Sequence, residues 1–408
     1  MSELFKMTDY PVLPGRLRLL QSQLREMSFD GRILLQNGDR GYATAPSNIA
    51  LIKYWGKEPG REQIPVNSSV SLTLGAFRSF TEVIVRGRFF PEHERTTAPE
   101  GRHEISFVDG QAAIPADTKV DRLLHAMFGD WAEEIGLTIL SRNNFPTACG
   151  MASSASGMAA LVGAIADLLQ LEKHFTHADL SYWLAEWSRF GSGSATRSAL
   201  RGPGCSFVAW EREENEEGLW TRTSALESEA GLARKIHHCV LVVDDSPKDI
   251  PSSRGHQLAA SSPLQAIRVA GLARKMDNIK KAIFDGDFAT IIDLAEDDAF
   301  SLHAVMLSGK ERINYIKPAT EVLIAEFVKR RNELGEMALW TLDAGPNIHI
   351  VYLSESAQFV ENFVDWARQH QKGKLRILGG RYAPGLALGL ENFTQIQRRE
   401  LIVDGLHE

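Results

Sequence analysis

The chain has little of what builds covalent or metal frameworks. Its 408 residues include three cysteines, Cys149, Cys205 and Cys239. They are too few and too scattered for a disulfide scaffold or a zinc site. Neither C-x-x-C nor H-E-x-x-H occurs, so no protein-caged metal is expected. No run of 18 apolar residues exists, which excludes an ordinary membrane-spanning helix. The opening stretch MSELFKMTDYPVLPGRLRLL has no continuous apolar core and no small-residue cleavage site, so it does not read as a signal peptide. Basic charge is not in excess. The net charge of −7 argues against bulk nucleic-acid binding, yet it permits a local basic pocket for one anionic ligand. With reduced thiols and no anchor, a cytoplasmic setting is expected.

Apolar residues make up 44% and charged residues 24%, the balance of a globular protein. The length suggests two domains. Residues 1–40 read as an extension, with a short helix around Arg16–Met27. The segments 69–75 and 80–87 alternate polar and apolar residues and predict two strands. A helix is predicted over 153–171. Its apolar residues Met158, Leu161, Val162, Ile165, Leu168 and Leu169 form one face, and Ser153 or Ser154 is its expected N-cap. Thr176 and Asp179 are spaced as a capping box for a second helix. The apolar run HHCVLVVDD marks a buried strand, and the domain boundary is placed just before it. This gives domains over 41–235 and 236–408. Residues 264–334 read as mostly helical, and ALWTLDAGPNIHIVYL as strand, turn, strand.

Five segments could carry chemistry. In SNIALIKYWGK, Lys53 and Lys57 flank Tyr54, Trp55 and Gly56 straight after a buried run. In NNFPTACGMASSASG a small-residue loop enters a helix N-terminus, whose free N–H groups attract phosphate. It is neither a Walker loop nor G-x-G-x-x-G, and an ordinary capped helix would look similar. In GSGSATRS, small residues surround Arg197, a natural bidentate partner for a carboxylate. SSRGH sets Ser252, Ser253 and Arg254 in a loop, and DAGPN sets Asp343 at a strand end. Each of these has a plain structural reading when taken alone. The histidines read as core or surface residues. His237 and His238 are adjacent on a strand and point to opposite faces, and His303 reads as a packed helix residue.

Taken in order, APSNIALIKYWGK, NNFPTACGMASSASG, GSGSATRS, SSRGH and DAGPNIHI resemble the diphosphomevalonate decarboxylase family of the GHMP kinase superfamily. The resemblance covers roughly residues 42–355 and implies an α+β, two-domain GHMP-kinase-like fold with its site in the cleft between domains. It implies ATP-dependent decarboxylation of mevalonate 5-diphosphate to isopentenyl diphosphate, with ATP and Mg²⁺ as cofactors and a homodimer as the usual assembly. Matched by motif, Asp343, Lys53, Arg197 and Ser154 would be catalytic. Asn48, Tyr54, Trp55, Gly56, Lys57, Ser192, Gly193, Ser194, Arg197, Ser252, Ser253 and Arg254 would hold substrate. Asn144, Pro146, Gly150, Ala152, Ser153, Ser154 and Ser156 would cradle the nucleotide. His256 departs from the family, many of whose members carry a methionine there. Kinase-only relatives lack the lysine–aspartate pair. A kinase or decarboxylase acting on mevalonate or its 5-phosphate, and an inactive binding paralogue, remain alternatives.

Overall fold

The computed structural model describes residues 14–29, 35–61, 63–86, 103–107, 118–129, 132, 135–146, 152–202, 204–215, 218–229, 231–246, 248–371, 375–381 and 385–391. In chain order the strands are β1 (Arg40–Ile52), β2 (Ser69–Val85), β3 (His103–Phe107), β4 (Leu137–Asn143), β5 (Phe207–Asn215), β6 (Gly218–Leu226), β7 (Ile236–Val242), β8 (Ala338–Thr341), β9 (Ile348–Leu353), β10 (Arg376–Arg381) and β11 (Ala387–Leu388). The helices are α1 (Pro14–Phe29), α2 (Thr118–Phe128), α3 (Ser153–Leu168), α4 (His177–Gly191), α5 (Ser252–Leu258), α6 (Gln265–Asp285), α7 (Phe288–Ser308), α8 (Pro318–Leu334) and α9 (Ala357–His370).

The strands form two sheets. The larger runs β11-β1-β2-β4-β3, with β5 pairing the front half of β2 and β6 pairing β5. The smaller is antiparallel, in the order β10-β7-β9-β8. The late strand β11 returns to pair with β1, so residues near 387 join the first sheet rather than the second.

β2 is one 17-residue strand where the alternation predicts two. The break in the pattern is an irregularity inside it. The β1 partners jump from Arg78 to Leu74 between Pro46 and Ser47. Pro46 has no N–H to give the ladder, so the partner strand bulges there. Asn144 repairs the bulge: its Oδ1 accepts from Arg78 N at 2.7 Å and its Nδ2 donates to Ala76 O at 3.0 Å.

α3 is buried nearly all round rather than on one face, because it lies against β1 and β2 on one side and α4 on the other. Glycine permits the close approach. A Cβ on Gly41 would lie 2.1 Å from Ala164 O. The expected serine cap is replaced by Ala152, which starts the helix in the left-handed region (φ 46°) without a side-chain cap. Both serines then fall in the first turn, with their hydroxyls left for other partners. Thr176 does cap α4, accepting from Asp179 N at 3.1 Å.

The two sheets share one apolar core. Ile49, Leu51, Leu72 and Phe77 of the first sheet cluster with Val240 and Val351 of the second and with Leu272 and Ile291 of α6 and α7. This shared core fixes the cleft between the halves. Among the described residues no helix is long and apolar enough to cross a membrane.

Candidate active site

β1 ends at Ile52 and hands Lys53 to a rigid clamp. Its N–H donates to Asp298 Oδ2 at 2.6 Å, and its carbonyl accepts from Asn67 Nδ2 at 2.9 Å and Arg268 Nη2 at 3.0 Å. Arg268 and Asp298 are paired at 2.8 Å, both buried, on α6 and α7. A buried ion pair needs its remaining hydrogen-bond sites filled, and the Lys53 backbone fills some of them. The Lys53 side chain is thereby fixed in place. Nζ donates to Ala50 O at 2.5 Å and lies 2.9 Å from Asp343 Oδ1. Burial lowers the Lys53 pKa, and the Asp343 carboxylate opposes that shift. The Lys53 side chain is 2% exposed and that of Asp343 27%, so the carboxylate is the member of the pair that faces the open cleft.

Asp343 follows β8 at the mouth of the turn to β9. Its carbonyl accepts from Gly345 N at 2.7 Å and lies 3.2 Å from His303 Nε2. His303 is buried, and burial together with the nearby Lys53 pushes its pKa down to about 4. It is therefore neutral, a hydrogen-bonded support under the turn, as its helical context suggested.

Arg197 sits in a 3-10 turn, Gly193–Ser198, and is 4% exposed rather than on the surface. Nη1 donates to Ser69 Oγ at 2.5 Å, and Nη2 lies 3.4 Å from Asn48 Oδ1. Asn48 is itself anchored on Ser198 Oγ at 2.8 Å. Burial pushes the Arg197 pKa down to about 10, still far above neutrality. The buried Arg197 Nε and Tyr54 hydroxyl have no hydrogen-bond partner among the described residues.

These groups line one cleft of about 300 Å³. Asn48, Lys53, Tyr54 and Trp55 come from the end of β1 and the turn after it. Ala152, Ser153 and Ser154 come from the start of α3, and Ser194 and Arg197 from the 3-10 turn. Ser252 and Asp343 face them from the second half. Ser192 lies just behind, its Oγ 3.4 Å from that of Ser154. Gly193 is needed as glycine, since a Cβ there would lie 2.9 Å from the Tyr54 ring.

Other expected residues lie elsewhere. SSRGH is the start of α5, not a loop, and helical spacing puts Ser252 and His256 on the cleft side. Ser253 and Arg254 are exposed, and Arg254 pairs with Glu311 at 2.7 Å. Asn144 is spent on the β2 bulge. Ser156 points inward to Ser79 Oγ at 2.7 Å. Gly56, Lys57 and Pro146 do not line the cleft. Lys57 is half-buried, and burial together with Arg122 and Lys119 lowers its pKa. Gly150 lies outside the described residues. Reading the sequence missed Ala50, Lys248, His256, Leu302 and Ala344 on the cleft wall. It also missed the Arg268–Asp298 clamp. Lys248 and His256 flank the quoted serines, and helical periodicity over 252–258 would have found His256.

Two mixed halves around a polar cleft, with a small-residue helix start on one wall and a lysine–aspartate pair across it, define a GHMP-kinase-like protein. The model for the diphosphomevalonate decarboxylase-like N-terminal domain matches residues 45–221, and that for the mevalonate 5-diphosphate decarboxylase C-terminal domain matches 238–383. The chain is 36% identical over 327 residues to the diphosphomevalonate decarboxylase of Candida albicans, covering 77% of this chain and 84% of that one. It is 32% identical over 342 residues to that of Saccharomyces cerevisiae, covering 79% and 80%. Similar solved structures include mevalonate diphosphate decarboxylase from Staphylococcus aureus, at a TM-score of 0.71, 26% identity, and coverage of 86% of this chain and 98% of that one. Another, of MDDEF in complex with MVAPP, AMPPCP and magnesium, matches with the same four values. The chain belongs to the diphosphomevalonate decarboxylase family.

Proposed function

We propose that this chain catalyses ATP-dependent decarboxylation of mevalonate 5-diphosphate to isopentenyl diphosphate, releasing ADP, phosphate and carbon dioxide. The observation that carries the reading is the Lys53–Asp343 contact, 2.9 Å, in a cleft shared with Arg197 and the start of α3. Arg197 would hold the substrate carboxylate, with Asn48 orienting the guanidinium. Tyr54 and Ser252 would take phosphoryl oxygens. Asp343 would orient the tertiary 3-hydroxyl and accept its proton as that oxygen attacks the γ-phosphorus of ATP, whose bond to ADP breaks, while Lys53 stabilises the carboxylate before the transfer. The 3-phosphate would then leave with the C3–O bonding pair and the carboxyl carbon as carbon dioxide, the C1–C2 bonding pair becoming the new C2=C3 bond. The deficit developing at C3 falls beside Asp343.

Ser153, Ser154 and the first turn of α3 fit a nucleotide's phosphates, since hydroxyls and N–H groups meet there on a wall of the cleft that Asp343 also lines. A nucleotide-bound magnesium ion takes most of its ligands from phosphate and water. The ion would neutralise phosphate charge, with Ser154 as its protein contact. We further propose the division at residue 235, with 385–391 returning to the first half, a cytoplasmic location and a homodimer.

The test is an assay of ADP and carbon dioxide with mevalonate, its 5-phosphate and its 5-diphosphate. Equal release of both products from the diphosphate alone is expected. ADP without carbon dioxide would make the protein a kinase, and equal rates on all three would contradict a dedicated diphosphate site.

A further inference from the structure

One wall of the cleft is a stack of three rings. The His256 imidazole lies against both Tyr54 and Trp55, with centroids 4.4 and 4.3 Å away and interplanar angles of 33° and 36°. Gly255 makes room for this, since a Cβ there would sit 2.6 Å from the Trp55 ring. Gly56 turns the chain at φ 95° and its N–H donates to His256 Nδ1 at 3.1 Å. An amide N–H can only donate, so Nδ1 accepts and the ring proton sits on Nε2. A second proton on Nδ1 would set two donors face to face. Burial acts in the same direction, as do Lys57 and Arg197, against a smaller opposing pull from Asp343, and the pKa is pushed down to about 3. The result is a neutral ring with one donor. Nε2 has no hydrogen-bond partner among the described residues, and the ring lines the cleft beside Ser252 and Lys248.

We infer that His256 is a substrate-binding residue whose Nε2–H donates to a phosphoryl oxygen of the phosphorylated hydroxy acid in the cleft. The inference rests on the functional reading above and adds a contact to it. The methionine that many resembling chains carry here offers a thioether, which cannot donate. A phosphoryl oxygen only accepts. A neutral N–H therefore adds recognition without adding charge to a cleft that already holds Lys53 and Arg197.

The experiment compares the full-length protein with His256→Met and His256→Gln. It reads KM and kcat for mevalonate 5-diphosphate, and the Kd of inorganic diphosphate by calorimetry. His256→Met should raise KM and the diphosphate Kd by about tenfold or more, the scale of a hydrogen bond to a charged group, with the loss falling on KM rather than kcat. His256→Gln, whose amide nitrogen reaches the Nε2 position, should recover most of it. Unchanged KM and Kd in a folded His256→Met protein overturn the assignment. If that variant is unstable, the imidazole ¹⁵N resonances of the wild-type protein decide. An Nε2–H signal of His256 that moves on adding diphosphate supports the contact, and one that stays fixed overturns it. Absence of wild-type turnover would instead remove the functional reading, while the diphosphate titration still judges His256.

Discussion

Asp298 Oδ2 accepts the backbone N–H of Lys53 at 2.6 Å across 245 residues of sequence. The contact joins α7 of the second half to the end of β1 in the first. It means that the ammonium facing Asp343 is aimed by a buried ion pair which touches neither substrate nor nucleotide in the proposed mechanism.

Asp298→Ala should destabilise the fold and slow the reaction. It leaves the Arg268 guanidinium buried without its carboxylate, a loss of about 3–5 kcal/mol when one partner of such a pair is removed. A urea melt would show a lower midpoint. A midpoint equal to wild type would mean that the clamp is not what holds Lys53.

Asp343→Asn preserves shape and removes the base. Turnover should fall by at least ~10²-fold, the usual scale of acid–base contributions, with KM little altered. The Lys53 pKa should drop further, because the carboxylate that opposes its burial is gone. Steady-state kinetics that return an unchanged kcat would take Asp343 out of the mechanism.

Arg197→Lys keeps the charge and loses the planar fork. A lysine cannot reach both Ser69 and Asn48 while presenting a second pair of donors to a carboxylate. KM for the hydroxy acid should rise about tenfold or more. A variant that binds as tightly as wild type would show that the fork is not used.

Stability should fall as pH falls from about 6.5 toward 4. His303 has its folded pKa depressed to about 4, so the unfolded chain binds more protons across that window. The stabilisation is complete above the unfolded pKa and is lost as pH drops through the folded one. One such histidine gives a slope of up to about 1.4 kcal/mol per pH unit. His349, pushed down to about 3 chiefly by burial, extends the decline to lower pH. Denaturant midpoints measured from pH 7 to 4 test this, and a flat profile would contradict it.

Gly41→Ala should be destabilising although no side chain is lost. The new Cβ would meet Ala164 O at 2.1 Å and Leu168 N at 2.5 Å, both helix backbone that cannot rotate away. Overpacking of this kind costs about 1–3 kcal/mol or more. The melting temperature should drop, and an unaltered value would show that α3 can slide on the sheet.

Much of the architecture was legible because it rests on local pattern. The Thr176 cap, the apolar run that forms β7 and the strand–turn–strand around Asp343 are short-range features. The bulge at Ala76 was not legible, because it answers a missing N–H on Pro46 in a different strand. The hydrogen bonds of Asn144 and Ser156 are not legible for the same reason. Each is a polar residue in a phosphate-like motif whose partners, Arg78 and Ser79, sit on β2. The direction of Arg254 is not legible either, because SSRGH opens a seven-residue helix rather than a loop, and the helix turns that side chain toward Glu311.

Family and chemical inventory follow from residue order, since the motifs are linear: the KYWGK run, the ASSA helix start and DAGPN. Which of those groups converge is a matter of packing. Lys53 and Asp343 are 290 residues apart and meet because one apolar core locks two sheets together. His256 became a candidate donor only when Gly56, from the other half of the chain, took up its Nδ1. Burial, tautomer and direction belong to the packed molecule, because each depends on neighbours that the order of residues does not list.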